Sequence, residues 1–507
     1  MTELPASHNL IFVASTIAFL TFLIIRYTRS PWRKLPPGPR GFPLVGNVLQ
    51  PNSQLWLSFT QWKKTYGDLV YFHILGQPFL VLNSQQAATD LLDRRASIYS
   101  DRPRNVINMM TEERNSWRRM RKAAHGGFNK NVVKKYHNTQ TTEAILLVHG
   151  IATDPIRWDQ HLRRAAASVI MSVVYGTPPI ESNSDPSIAN INELVAQVTT
   201  AAHPGAHLVE FFPWMIYIPE RFATWKHQAE GWFSRGTIIF EGLFNSARER
   251  DKNGDGGPSF ASTLIEQQEH HQLSNSDNAW LAATMYAAGS ETTAGVLAWW
   301  VLAMLMYPET QERAQAELDA VVGRSRLPSF ADYDHLPYIR AMVEEALRWR
   351  PIDPLGLPHS STHDDWYRGY FIPAGTIVIP NTWQMNRDIE TYGADAEHFN
   401  PERYLVSAKS TQSLDGHEGH ATYGFGRRVC VGRYVADNSL FIDIAMILWA
   451  MDIRRPLEIN RRPMTLDLKG CVEDGLVVRP VPFQCQFTPR SPEVLSVLEH
   501  ARELLDI

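Results

Sequence analysis

Cysteine is nearly absent: there are three in 507 residues, Cys430, Cys471 and Cys485. Three thiols cannot build a disulfide framework or a four-cysteine zinc site, so any cysteine that matters works alone. An excess of positive charge is missing too. Lys plus Arg number 49 against 53 Asp plus Glu, a net charge of -4, which withholds the basic face that a nucleic-acid binder displays. No Asn-x-Ser/Thr acceptor occurs anywhere, in keeping with a body that stays in the cytosol. No G-x-G-x-x-G follows a strand-like run, so a dinucleotide-binding unit or fused reductase is not expected. Apolar residues are not scarce: at 44% they exclude a disordered chain. Length alone suggests about three domains.

Residues 10–25 pass sixteen positions without a charge. With Tyr27 and their flanks they approach the ~17–25 residues that a membrane-spanning helix needs. Glu3 and His8 precede this run, whereas Arg26, Arg29, Arg33, Lys34 and Arg40 follow it. The positive-inside bias places the N-terminus outside and everything downstream in the cytosol. A cleaved signal would want a basic start and small residues after the apolar run, yet Arg26 follows Ile25 directly. Pro36-Pro37-Gly38-Pro39 and Pro43 then read as a stiff connector. The expected organisation is 1–9 lumenal, 10–27 transmembrane signal anchor, 28–47 basic, proline-rich linker, and 48–507 a single catalytic body.

In that body, residues 69–75 and 79–82 are β-prone runs around Gly76-Gln77-Pro78, a hairpin pattern. Apolar spacing of three and four predicts helices within 143–150, 160–175, 193–202 and 309–322. Residues 278–307, between Asp277 as N-cap and Pro308, predict one long helix that is apolar nearly all round. Glu291 at its middle would be costly in lipid, so this is expected to be a core helix rather than a second span. The fold expected is mainly α with a small β-rich lobe.

The chemistry gathers at residues 423–432, YGFGRRVCVG. Gly424, Gly426 and Gly432 let the backbone turn and come close to something flat. Arg427 and Arg428 are expected to favour the Cys430 thiolate. A lone thiolate on an open loop suits a nucleophile or an axial ligand to iron.

Here the chain resembles the cytochrome P450 family. Its haem loop, F-x-x-G-x-R-x-C-x-G, is matched at every specified position except the first, where Tyr423 stands. Glu345 and Arg348 match E-x-x-R, and Arg403 in Phe399-Asn400-Pro401-Glu402-Arg403 supplies the third member. Residues 288–293, AGSETT, match A-G-x-[DE]-T-[TS], and Trp117 with Arg121 match W-x-x-x-R. Order and spacing hold over essentially the whole chain.

The resemblance implies a P450 fold around haem b with Cys430 as axial ligand. It places Trp117, Arg121, Arg428 and His359 at the haem propionates, with Tyr423, Gly426 and Gly432 framing the loop. A hydroxyl at Tyr423 near the sulfur could tune its potential. Glu291 and Thr292 become a proton relay to bound dioxygen, for which Gly289 leaves room. Glu345, Arg348 and Arg403 form a structural ion network under the cysteine loop. The implied activity is a monooxygenase fed by a separate NADPH–cytochrome reductase, for which Arg118, Arg119 and Lys122 offer a docking face. Residues 104–110, 208–214, 285–293, 354–357 and 472–476 would line an apolar pocket for a hydrophobic small molecule. Residues 367–373 and the ending PVPFQCQFTPRS resemble microsomal fungal members of secondary metabolism, and thus an endoplasmic-reticulum enzyme. The alternatives are a haem-thiolate isomerase or dehydratase, or a non-catalytic anchored haem-binding protein. Cys471 and Cys485 are expected to be passive.

Overall fold

A computed structural model describes residues 6–50, 54–103, 114–180, 191, 193, 208–407, 419–457, 463–467, 470–474 and 477–505. Pocket segment 104–110, most of the helix expected at 193–202 and pocket residues 475–476 lie outside the described residues. The chain forms two compact units, Met1–Pro103 with Pro358–Pro380, and Arg104–Leu357 with Asn381–Ile507.

The smaller unit starts with α1 (Ala6–Arg29), whose last turn carries Arg26 and Arg29. Among the described residues one helical stretch, Phe12–Lys34, is long and apolar enough to cross a membrane. The hairpin follows as β1 (Leu69–Ile74) and β2 (Gln77–Leu82). Its turn is Leu75-Gly76, one step earlier than Gly76-Gln77-Pro78 suggests. Both residues take positive φ, 48° and 85°, as a tight two-residue hairpin turn demands. Pro78 fits near the start of its strand, where one missing donor is tolerated. Then come β3 (His359–Ser360), the short hairpin β4 (Asp365–Tyr367) and β5 (Tyr370–Ile372), and β6 (Ile377–Pro380). The main sheet has the order β1-β2-β6-β3, with β2 and β6 parallel. Leu80, Val81 and Leu82 are buried in it.

The larger unit is helical. Its elements are α2 (Arg114–Phe128), α3 (His137–Thr153), α4 (Trp158–Tyr175), α5 (Thr224–Asn253), α6 (Asn275–Ser290), α7 (Thr292–Met306), α8 (Pro308–Val321), α9 (Pro337–Trp349) and α10 (Arg433–Ala450). Short strands β7 (Met451–Arg454) and β10 (Gln486–Pro489) pair with each other, as do β8 (Cys471–Asp474) and β9 (Val477–Pro480). Because α7 is apolar on every side it goes to the centre, where each residue from Ala294 to Leu305 is buried. It shares a core with α9 and α10 that includes Trp300, Trp349 and Trp449. Trp449 hands its indole N–H to the Gly323 carbonyl at 2.7 Å. Removing so large a buried ring costs about 3–5 kcal/mol.

The long helix expected over 278–307 is in fact two. Ser274, not Asp277, is the N-cap, and Asp277 closes a capping box with it. The break falls at Glu291, with φ -114° and ψ -27°. Hydroxyls explain it: Ser290 Oγ donates to Ala287 O at 3.4 Å and Thr292 Oγ1 to Ala288 O at 2.9 Å. Such back-bonding competes with the helix's own ladder and bends it.

Candidate active site

The cysteine loop precedes α10. Gly424 and Gly426 hold φ of 73° and 57°, a conformation costly for any residue with a Cβ. The Cys430 amide closes the loop by donating to the Tyr423 carbonyl at 2.8 Å. A Cβ built on Gly424 or Gly432 would meet nothing within 4 Å, so the loop borders open ground. Burial pushes the Cys430 thiol up, and the Asp437 carboxylate adds to this; the Gly432 N–H, Arg121 and Arg433 pull it down. The expectation that Arg427 and Arg428 lower it is therefore corrected. Arg427 is exposed, and the Arg428 guanidinium stacks on Trp117, 3.6 Å from the ring centre.

Trp117 and Arg121 stand four apart on α2 and so share a face. Arg121 reaches the loop, donating to the Val429 carbonyl. The structure thus brings Trp117, Arg121 and Arg428 together beside Cys430. An open cleft of about 430 Å³ runs past Trp117, Arg118, Arg121, Lys122, His125, Gly426 and Arg427. Arg119 turns elsewhere, donating to Gln272 O at 2.6 Å. His359 belongs to the smaller unit, on β3, with Nδ1 2.7 Å from the Tyr99 carbonyl. A carbonyl only accepts, so that nitrogen carries the hydrogen.

On α6, Thr284 and Ala288 are exposed, and half-buried Thr292 extends the same four-residue spacing. This seam is the open side of a helix whose other side, Ala279, Leu281, Ala282, Ala283 and Tyr286, is buried. Thr292 gives its hydrogen to Ala288 O, and its oxygen can still accept. Gly289 does not face the seam: a Cβ there would stand 2.6 Å from Ile170 Cγ1 on α4. The glycine lets two helices approach, a correction to its expected place beside oxygen.

Glu291 has partners that the sequence does not announce. Arg163 Nη1 donates to its Oε2 at 3.2 Å, and Arg479 Nη1 lies 4.0 Å from the same oxygen. Both arginines also hold Asp159. Three distant segments, α4, the helix break and β9, meet here.

Glu345, Arg348 and Arg403 meet as a buried network. Arg348 bonds Glu345 twice, at 2.6 and 2.7 Å, and spends its other donors on the carbonyls of Asn386, Ala396 and His398. Arg403 Nε donates to Glu345 at 3.2 Å. Sequence reasoning missed the link to the cysteine loop, which is Asn386. Its side chain accepts from Ala421 N at 2.8 Å and donates to Thr422 Oγ1 at 2.9 Å.

No three His, Cys, Asp or Glu side chains gather as a metal group among the described residues. An iron on Cys430 would take its remaining ligands from a porphyrin, for which the open ground beside the loop leaves room. Open ground at Gly424 and Gly432, with the cations Arg121 and Arg428 nearby, fits a flat group bearing two carboxylates. The class is that of haem-thiolate proteins. Cys471 and Cys485 lie outside the glycine-rich loop and pack against the hydrophobic core instead.

The chain belongs to the cytochrome P450 family, whose profile, described as Cytochrome P450, matches residues 36–487. A cytochrome P450 monooxygenase of Armillaria gallica is 59% identical over 98% of this chain and 97% of its own. Cytochrome P450 monooxygenase 58 of Postia placenta is 44% identical, over 92% and 90%. A solved zebrafish cytochrome P450, determined with abiraterone, shares the fold at a TM-score of 0.67 and 23% identity, over 86% of this chain and 100% of that one. The chain is accordingly an enzyme of the monooxygenase kind, and the family's needs are dioxygen, an organic substrate and a redox partner.

Proposed function

We propose that this is an endoplasmic-reticulum monooxygenase containing haem b, anchored by residues 10–27 ahead of a linker and a catalytic body facing the cytosol. It oxidises an apolar small molecule in secondary-metabolite biosynthesis, with electrons drawn from NADPH through a separate reductase. The observation that carries the catalytic part is the seam of Thr284, Ala288 and Thr292 ending at the helix break, where Glu291 is half-exposed. When bound, the haem supplies the oxygen-activating chemistry, with one oxygen atom entering the substrate and the other leaving as water.

The chain's own residues do the rest. Cys430 would hold the iron, Tyr423, Gly426 and Gly432 shape its loop, and Trp117, Arg121 and Arg428 would hold the propionates. Glu345, Arg348 and Arg403 keep the loop's support rigid. Thr292 would donate its hydroxyl hydrogen toward dioxygen in place of the Ala288 carbonyl and relay protons, and Glu291 would supply them from the half-exposed cluster behind it. Arg118, Lys122 and Arg427, exposed at the cleft, greet the acidic face of a reductase. Exposed Leu357 and Val472 support an apolar substrate, and the cations after α1 support the membrane orientation.

Reduced protein under carbon monoxide should show the red-shifted band of thiolate ligation; its absence would sink the role given to Cys430. Thr292→Ala should keep that band, lower product formation about a hundredfold and divert reducing equivalents to hydrogen peroxide. Unchanged coupling in that variant would remove Thr292 from the proton path.

A further inference from the structure

The family profile ends at residue 487, and beyond it the chain forms one more helix, α11 (Glu493–Glu503). Val494, Val497, Leu498 and Ala501 recur at the three- and four-residue spacing of a single helix face. Val494 and Leu498 are buried, and all four join the core that holds Leu147 and Val148 of α3, against which α11 packs. The row Val494, Leu498, Arg502 steps by four, and its last member reaches across to α3. Arg502 Nη1 lies 2.9 Å from His149 Nε2. A guanidinium only donates, so this ring nitrogen accepts and the imidazole is neutral. At its other end α3 grips α10, where Gln140 Nε2 donates to Val435 O at 2.9 Å and to Ser439 Oγ at 2.8 Å. What seats α11 on α3 therefore also backs the helix that begins beside Cys430.

We propose that His149 and Arg502 form an acid-released latch: neutral His149 holds α11 on α3, and its protonation sets two cations against each other and frees this helix from the core. The surroundings act in the same direction. Burial first, then Arg502, holds His149 below the ordinary histidine value, with His161 of α4 adding to this and Glu499 of α11 opposing it. His161 has its own partner, the Asp154 carbonyl 3.2 Å from its Nε2, and Arg157 on the turn before α4 faces it. Asp443 of α10 faces Glu143, further back on α3. Once α11 leaves, His149 regains water and its ordinary value of about 6.5. Docking is therefore strongest above that value and weakens as the pH falls from there through the lower value of the docked ring.

The test is amide hydrogen exchange on the full chain in detergent, followed by mass spectrometry of the peptide spanning α11 and corrected for the intrinsic effect of pH. Going from pH 8 to pH 5 should lower the protection of α11 about tenfold, while the central helix α7 keeps its own. His149→Gln still offers Arg502 an acceptor oxygen but does not titrate, so it should keep the protection at pH 8 and abolish the fall. Arg502→Met removes the donor. It should open α11 about tenfold more readily at pH 8 and narrow the gap between the two pH values, and it carries the test if H149Q does not fold. A constant protection of α11 in the parent would overturn the latch. A fall in H149Q equal to the parent's would overturn it too, moving the titration to His161, as would parent-like protection at both pH values in R502M.

Discussion

Two ion clusters in the larger unit use the same residue types and do opposite things. Around Glu345 and Arg348, both fully buried, every guanidinium N–H of Arg348 has a partner and Asn400 N adds a bond to the carboxylate at 2.7 Å. Around Glu291, side-chain exposure is 35% for Glu291, 39% for Asp159 and 32% for Arg163, and one of the pairings stretches to 4.0 Å. The first cluster is dry, saturated and geometrically closed, so a missing member strands a buried charge. The second is half-exposed at Glu291, Asp159 and Arg163, with Arg479 buried and held by Asp159, and its pairing at Glu291 is loose, so that carboxylate can exchange partners at little cost. On the proposed function the difference separates scaffold from relay: a carboxylate that moves protons must stay reachable by water, and one that holds a loop must not.

The comparison breaks if the two clusters respond alike to substitution. Arg348→Met should destabilise the protein by about 3–5 kcal/mol, read as loss of haem-loaded protein and a lowered Tm; a change below 1 kcal/mol would make the closed cluster ornamental. A third arrangement sharpens the contrast through pH. Asp443 on α10 is buried with Glu143 and Arg164, and burial first, then Glu143, pushes its carboxyl up to about 8. The folded chain then keeps a proton that the unfolded chain releases near the ordinary carboxylate value of about 4. Unfolding between those values releases that proton, so stability falls as pH rises from about 4 to about 8 and levels off above. Asp443→Asn should flatten this fall, checked by thermal unfolding at pH 5 and pH 8; equal losses in both proteins would contradict it. The smallest effect is expected at the wet cluster, where Glu291→Gln should alter stability by about 1 kcal/mol or less by the same measurement.

Much of this was legible in order along the chain. The spacing of Glu345 and Arg348, the glycines around Cys430, and Trp117 with Arg121 are local patterns, and the fold keeps them together. What escaped was whatever depends on segments far apart. Asp159, Arg163 and Arg479 meet Glu291 from α4 and β9, and no spacing in the sequence links them. Asn386 ties the network to Ala421 and Thr422 through one bond each, of a kind that any polar residue in a loop could mimic. Arg427 and Arg428 misled because adjacency in sequence is not adjacency to the sulfur: one faces outward and the other is occupied by an indole. Gly289 misled for a related reason, since a small residue in a motif has two sides, and Ile170 takes the one that matters here. The apolar run over 278–307 hid its break because hydrophobicity does not register the competition of Thr292 and Ser290 for helix carbonyls.

The main sheet of the smaller unit has a consequence for how the chain is made. β2 pairs with β6, and Gln77 reaches Gly375 from 298 residues away at 2.8 Å. At about 5–20 residues per second of synthesis, the hairpin leaves the ribosome roughly 15–60 s before its neighbour exists. During that interval Leu80, Val81 and Leu82 present an open edge, the feature by which strands find wrong partners. With residues 10–27 acting as the proposed anchor, the waiting hairpin would be held at the membrane surface, one copy per ribosome, rather than free to meet other unfinished chains.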